Sequence, residues 1–180
     1  VKSVENKFEQ MLKGGHPNSL GRTLEVVEII INDREKLSEL FNCYLSDDET
    51  VRYRVSNAFK RIFRQNREWF IEYIDKFQNL IPKLKQPSAE WTLAQLHLEM
   101  EDLLSDNQKE TAILISKQQL EESNDWIVII KSINSLECLA SKDKVLQKWL
   151  IEKLKVIAKD KRKSVNKRAN QVLESLTKST

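Results

Sequence analysis

Residues 47–65 read DDETVRYRVSNAFKRIFRQ, and they decide the fold. Within them Val51, Val55, Ala58, Phe59 and Ile62 recur at i, i+4, i+7, i+8 and i+11. That spacing places one apolar stripe along a helix of 3.6 residues per turn. The same helical period returns at Leu37, Leu40, Phe41, Tyr44 and Leu45, and segment 143–159 gives Val145, Leu146, Leu150, Leu154 and Ile157. Strict alternation, the mark of a strand, is absent over any useful length. The periodicity predicts ten helices, at 2–13, 18–31, 34–45, 50–65, 67–81, 89–104, 107–121, 125–140, 143–159 and 163–177.

Composition points the same way. The 180 residues include three glycines and three prolines, where average usage gives roughly 13 and 9. An all-β fold needs those residues for its turns, and phosphate loops need glycine. The six are also clustered. Gly14, Gly15, Pro17 and Gly21 precede the first full hairpin, and Pro82 and Pro87 are expected to flank the longest connection. With 40% hydrophobic and 32% charged residues, the chain fits neither a disordered nor a membrane class. No apolar run approaches the ~20 residues of a membrane span, and the opening VKSVENKFEQ has no signal-peptide core. Cys43 and Cys138 sit in helical apolar patterns and read as small buried hydrophobes of a reducing, cytoplasmic setting.

Short polar breaks separate the helices. Asn32 with Glu35, Ser46 with Glu49 and Ser105 with Gln108 each fit a capping box, and Ser123-Asn124-Asp125 and Ser141 offer further caps. Connections this short fold neighbours into antiparallel hairpins. Val51, Trp91, Trp126 and Val165 each stand near a helix start, 40, 35 and 39 residues apart. A two-helix period of ~40 residues indicates a solenoid, because one hairpin cannot bury its own stripe.

DDETVRYRVSNAF (47–59) resembles the HEAT-repeat pattern of an acidic turn, Val-Arg, then small and apolar residues. DKRKSVNKRANQVL (160–173) is a weaker match, with Asn166 in place of Arg. PSAEWTLAQL (87–96) and SNDWIVIIKSI (123–133) keep the spacing but carry Trp for Val. HPNSLGRT (16–23) and PSAEWTLAQ are also similar to small bacterial HEAT-repeat proteins without an assigned activity. The resemblance spans about 18–177. It implies an all-α, right-handed superhelix of about four and a half hairpins. Residues 1–17 would form a capping helix and loop, with Val4, Phe8, Met11 and Leu12 facing the stack. Residues 18–180 would form the repeat domain, closed by helix 163–177.

The resemblance implies binding rather than catalysis. In such a stack the second helices line a concave face that takes a protein or peptide partner. Glu72, Lys76, Lys117, Lys148 and Lys155 are the expected contact residues. Charge supplies an alternative. Residues 1–50, 51–90, 91–125 and 126–180 carry net −4, +5, −6 and +8. Arg54, Lys60, Arg61, Arg64 and Arg67 spread over roughly 140° away from the apolar stripe. With Arg162, Lys163 and Arg168 they could meet a nucleic-acid backbone. A HEAT-like alkylpurine DNA glycosylase is a remote third reading, suggested by Asp125-Trp126 and Trp91. The repeat register opposes it, since both tryptophans stand where Val51 and Val165 are expected to face the core.

Chemistry-bearing motifs are sparse. The two histidines are His16, in a loop, and His97, four residues before Glu101 and explained by an i,i+4 contact. The acids at 98–125 alternate with Leu and read as a solvated face rather than a cation site. No P-loop, EF-hand loop or HExxH occurs, so no cofactor and no metal are expected.

Overall fold

A computed structural model describes residues 6–178. They form ten α-helices and, among the described residues, no strand. The helices are α1 (Lys7–Leu12), α2 (Thr23–Asn32), α3 (Leu37–Asn42), α4 (Glu49–Gln65) and α5 (Ile74–Leu84). They continue with α6 (Pro87–Glu99), α7 (Asp106–Glu122), α8 (Trp126–Leu139), α9 (Lys144–Ile157) and α10 (Lys163–Lys178). The chain divides into two compact units, Val1–Tyr73 and Ile74–Thr180. The boundary expected after residue 17 therefore falls inside the first unit. The two-unit boundary falls within the segment predicted as one helix at 67–81. That segment is a 3-10 turn at Arg67–Phe70, then a turn, then α5.

The first unit is built on α4. Val51, Val55, Ala58, Phe59 and Ile62 are all fully buried. Against them pack α1, α2 and the short turn Cys43–Leu45. Phe8, Met11 and Leu12 of α1 are buried as expected, while Val4 lies outside the described residues. Rings supply much of this core. Tyr44 stacks on Phe59 at 5.6 Å, and Phe70 meets Phe59 and Phe63 edge-on at 5.8 and 5.1 Å. Such pairs add about 0.5–1.5 kcal/mol beyond their area. The Tyr44 hydroxyl is satisfied by Ser56 Oγ at 3.0 Å.

In the second unit α8 is central. It packs against α6, α7 and α10, and more lightly against α9. Its neighbours pair in turn, α9 with α10, α5 with α6, and α5 with α7. Ile133, Leu136, Leu150, Leu154, Val165, Ala169 and Val172 make a continuous core.

The helix starts follow the chemistry of orphan N–H groups, with changes of residue. Asp48, Asp125 and Asp143 each accept two backbone N–H groups at the starts of α4, α8 and α9. Ser46 is not the cap of α4; its Oγ accepts from Asp48 N and donates to Glu9. Asn32 is the last residue of α2 and caps nothing. Ser105 and Gln108 do form the reciprocal box at α7. Ser105→Ala is expected to cost about 1 kcal/mol in urea unfolding.

Trp126 departs from the place expected of it. Trp126 is 48% exposed, so it does not fill core volume. The buried equivalents are Val51, Ala89, Val128 and Val165, each fully buried and each the third residue of α4, α6, α8 or α10. They stand 38, 39 and 37 residues apart, a tighter period than the tryptophans gave. Nor does a long connection separate Pro82 from Pro87. Pro82 lies within the last turn of α5, and Pro87 is the first residue of α6. Only Lys85 and Gln86 lie between the helices, with Lys85 in the left-handed region at φ 50°. Proline is favoured at a helix start because the missing N–H would be an orphan there.

Candidate functional site

The exposed side of α7 and α9 carries apolar and aromatic residues beside lysines. On α9, Val145, Trp149 and Val156 fall along one stripe at 3.6 residues per turn. A second stripe, about 100° round, carries the buried Leu146, Leu150 and Leu154. Val145 is 82% exposed and Val156 71%, so Val145 is not the core residue its place in the sequence suggested. On α7, Leu114 is 67% exposed, with Lys117 and Glu121 along the same side.

Two contacts tie these stripes together. The Lys117 ammonium sits 4.5 Å from the centre of the Trp149 ring, and Lys153 Nζ lies 2.9 Å from Glu121. Lys153 also approaches the Trp149 ring, at 5.9 Å. A cation over an indole face is attracted by about 0.5–1 kcal/mol at an exposed site. The result is a half-buried aromatic approached by two lysines, with exposed Val145 and Val156 along its own stripe and exposed Leu114 one turn before Lys117.

The expected partner residues divide. Lys117 belongs to this surface directly, and Lys148 and Lys155 are exposed on its flank, Lys155 paired to Glu152 at 2.7 Å. Lys76 is exposed on α5. Glu72 lies in the first unit and pairs with Arg34 at 3.2 Å. Trp149, Leu114 and Val156 were missed as surface residues. Apolar residues on a periodic helix read as core, and here α9 carries two apolar stripes of which only one is covered.

The basic residues fare differently from expectation. Arg54 is not on a solvated face: it is fully buried. Its Nε donates to Ser19 O at 3.0 Å, and Nη1 to Leu12 O and Gly14 O, both at 2.6 Å. Nη2 donates to His16 O at 3.1 Å and Ser19 Oγ at 3.2 Å. All five guanidinium donors are thereby used on the loop between α1 and α2. Arg162 pairs with Asp160 at 2.6 Å and donates to Asn124 O at 2.7 Å; its guanidinium helps hold the Asp160 carboxyl down at about 2. Arg168 bridges to Glu137 at 2.5 Å and to Asn134 at 2.6 Å. Arg61 donates to Asn57 O within its own helix, Arg67 is half-buried in a 3-10 turn, and Arg64 and Lys163 are exposed.

His97 and Cys43 are interior groups, whereas Cys138, expected to be buried, is only half-buried and His16 is exposed. His97 does not meet Glu101, which pairs with Lys109 at 2.8 Å. It is fully buried, with Nε2 3.2 Å from Gln78 Nε2. Burial drives its imidazole down to about 3. Burial likewise pushes the Cys43 thiol up to about 12, which removes the thiolate that a nucleophile would need. Among the described residues no group of three or more His, Cys, Asp or Glu side chains could hold a metal ion. No helix among them is long and apolar enough to cross a membrane. Comparison with protein-family models, with curated proteins and with solved structures finds no match.

Proposed function

We propose that this chain is a HEAT-like helical repeat protein that serves as a non-enzymatic, cytoplasmic protein-binding module. The reading rests above all on the α7–α9 surface, where Val145 and Val156 share the exposed stripe of Trp149 and Leu114 is exposed one turn before Lys117, which covers that ring. Exposed aliphatic residues scattered singly need no explanation, but three on the two helices that carry a half-buried indole and its lysine form a patch. Aromatic anchors ringed by apolar neighbours carry most of the energy in protein interfaces.

The neighbour pattern of the second unit supports the repeat reading. α8 stands between α6 and α10, while α5 touches α7 and α7 is bridged to α9. First helices thus neighbour first helices and second helices neighbour second helices, as in a stack of hairpins. The buried period of about 38 residues agrees with it.

The nucleic-acid alternative loses ground. Three of its eight named cations, Arg54, Arg162 and Arg168, are already engaged by protein groups. A gel shift at low salt is expected to show no retardation.

The protein reading is tested by affinity capture followed by binding of the identified partner to purified chain. Trp149→Ala with Val156→Glu is expected to weaken that partner at least about tenfold, with helicity unchanged by circular dichroism. Arg64→Glu, outside the patch, is expected to leave it bound. A partner held equally by both variants would exclude this surface.

A further inference from the structure

On α9 lysines border the exposed stripe on both sides. At 100° per residue, Lys148 and Lys155 fall about 60° and 80° to one side of Val145, and Lys153 about 80° to the other. Trp149 and Val156 lie between these borders, and Lys117 reaches the Trp149 ring from α7. We propose that this face binds an acidic amphipathic helix of a partner protein, its apolar side on Val145, Trp149 and Val156 and its carboxylates on the lysines, a proposal that rests on the α7–α9 surface being an interface.

The charge of the face selects an acidic partner. The exposed sides of α7 and α9 carry Lys117, Lys144, Lys148, Lys153 and Lys155 against Glu110, Glu121 and Glu152. Two of these lysines are neutralised locally. Lys153 holds Glu121 at 2.9 Å, and Lys155 holds Glu152 at 2.7 Å. Lys144 and Lys148 are exposed and make no ion pair with any described residue. Lys117 lies over an indole rather than beside a carboxylate. Five lysines against three glutamates leave the face two charges positive.

Its dimensions select a helix. Val145, Trp149, Glu152 and Val156 follow i, i+4, i+7 and i+11, about 16 Å along the axis from first to last. A partner helix of three turns covers that length with one apolar stripe and shows charged residues along both edges of it.

Other occupants fit less well. Two copies of a net-positive face repel each other. A nucleic-acid backbone would meet Glu110, Glu121 and Glu152 among the lysines, and its uniform charge suits no mixed border. An anionic bilayer would have to take in Glu152, which interrupts the apolar stripe.

The test is a selection on the full chain. Displayed peptides of about 16 residues carry Leu at i, i+4, i+7 and i+11, with the other positions randomised. They are selected on the natural chain and counter-selected on Trp149→Ala with Val156→Ser, a neutral change whose helicity is checked by circular dichroism. Peptides kept by the natural chain and lost by the variant are expected to carry Asp or Glu beside the leucines, with a net charge of about −3 or below. The synthetic consensus peptide is expected to bind at least about fivefold more weakly in about 300 mM salt than in about 20 mM. Lys144→Glu with Lys148→Glu is expected to weaken it at least about tenfold, and Arg64→Glu in the first unit is expected to leave it bound. Selected peptides that are neutral or basic, or affinity unchanged by the double reversal, overturn the acidic partner while the surface stands as an interface. If no peptide distinguishes the natural chain from the Trp149 variant, the interface itself falls, and this proposal with it. Preference for phosphatidylglycerol vesicles or single-stranded DNA over the consensus peptide, lost on the double reversal, overturns it in favour of a membrane or a nucleic acid.

Discussion

Arg54→Met is expected to destabilise the first unit by about 3–5 kcal/mol. The reason is a count of donors. The loop between α1 and α2 contains Gly14, Gly15, Pro17 and Gly21 and has few apolar side chains with which to hold its shape. Instead Arg54 reaches from α4 and ties down the carbonyls of Leu12, Gly14, His16 and Ser19. Methionine keeps most of the volume but leaves those acceptors unpaired, at about 1–3 kcal/mol for each one kept from water. Arg54→Lys should rescue little, because a single ammonium cannot span the fork of five donors. Amide hydrogen exchange of residues 12–22, with urea unfolding, reads the effect. A loss under about 1 kcal/mol would show that the loop holds itself.

A second substitution checks the same geometry from the loop side. Gly21 has φ 50°, and a Cβ there would lie 2.9 Å from Arg54 Cζ and Nη1. Gly21→Ala should therefore destabilise through both backbone strain and a clash with the guanidinium. In the double variant with Arg54→Met the clash is absent, so the two losses should sum to more than the pair shows. Additive losses would contradict the close approach.

The contrast between Arg54 and its neighbours shows where sequence reasoning holds and where it stops. The stripe Val51–Ile62 was legible because burial of a helix face follows from a local period. All five of its residues are interior. Arg54 lies at the edge of that stripe, and whether an edge position meets solvent depends on what crosses it. What crosses it is a loop some 40 residues earlier, which no local pattern reports. The α9 surface fails for the opposite reason. Val145 was read into one stripe with Leu146, Leu150, Leu154 and Ile157, but only packing decides how much of a broad apolar face is covered, and Val145 and Val156 are left exposed.

Acid should reveal His97. On α6 the ring is fully buried, and Gln78, which donates to Gln108 O at 2.8 Å, also offers Nε2 to the imidazole at 3.2 Å. The other ring nitrogen, Nδ1, has no partner. With nothing to stabilise an added proton, burial holds the ring neutral down to about pH 3. The unfolded chain takes that proton near 6.5. Between these values the unfolded state binds more protons, so the contribution of His97 is fully present above pH 6.5 and is lost as the pH falls toward 3. The slope approaches about 1.4 kcal/mol per pH unit, or about 2 kcal/mol between pH 7 and pH 5. Glu90 works in the other direction, because a carboxyl raised by burial binds its proton more tightly when folded. The informative quantity is therefore the difference between the natural chain and His97→Gln, in which an amide oxygen can still accept from Gln78. Urea unfolding at pH 7, 6 and 5 should show that difference shifting by about 2 kcal/mol in favour of the variant. Parallel pH profiles would mean that the folded protein protonates His97 as readily as the unfolded chain does, and that water reaches the ring.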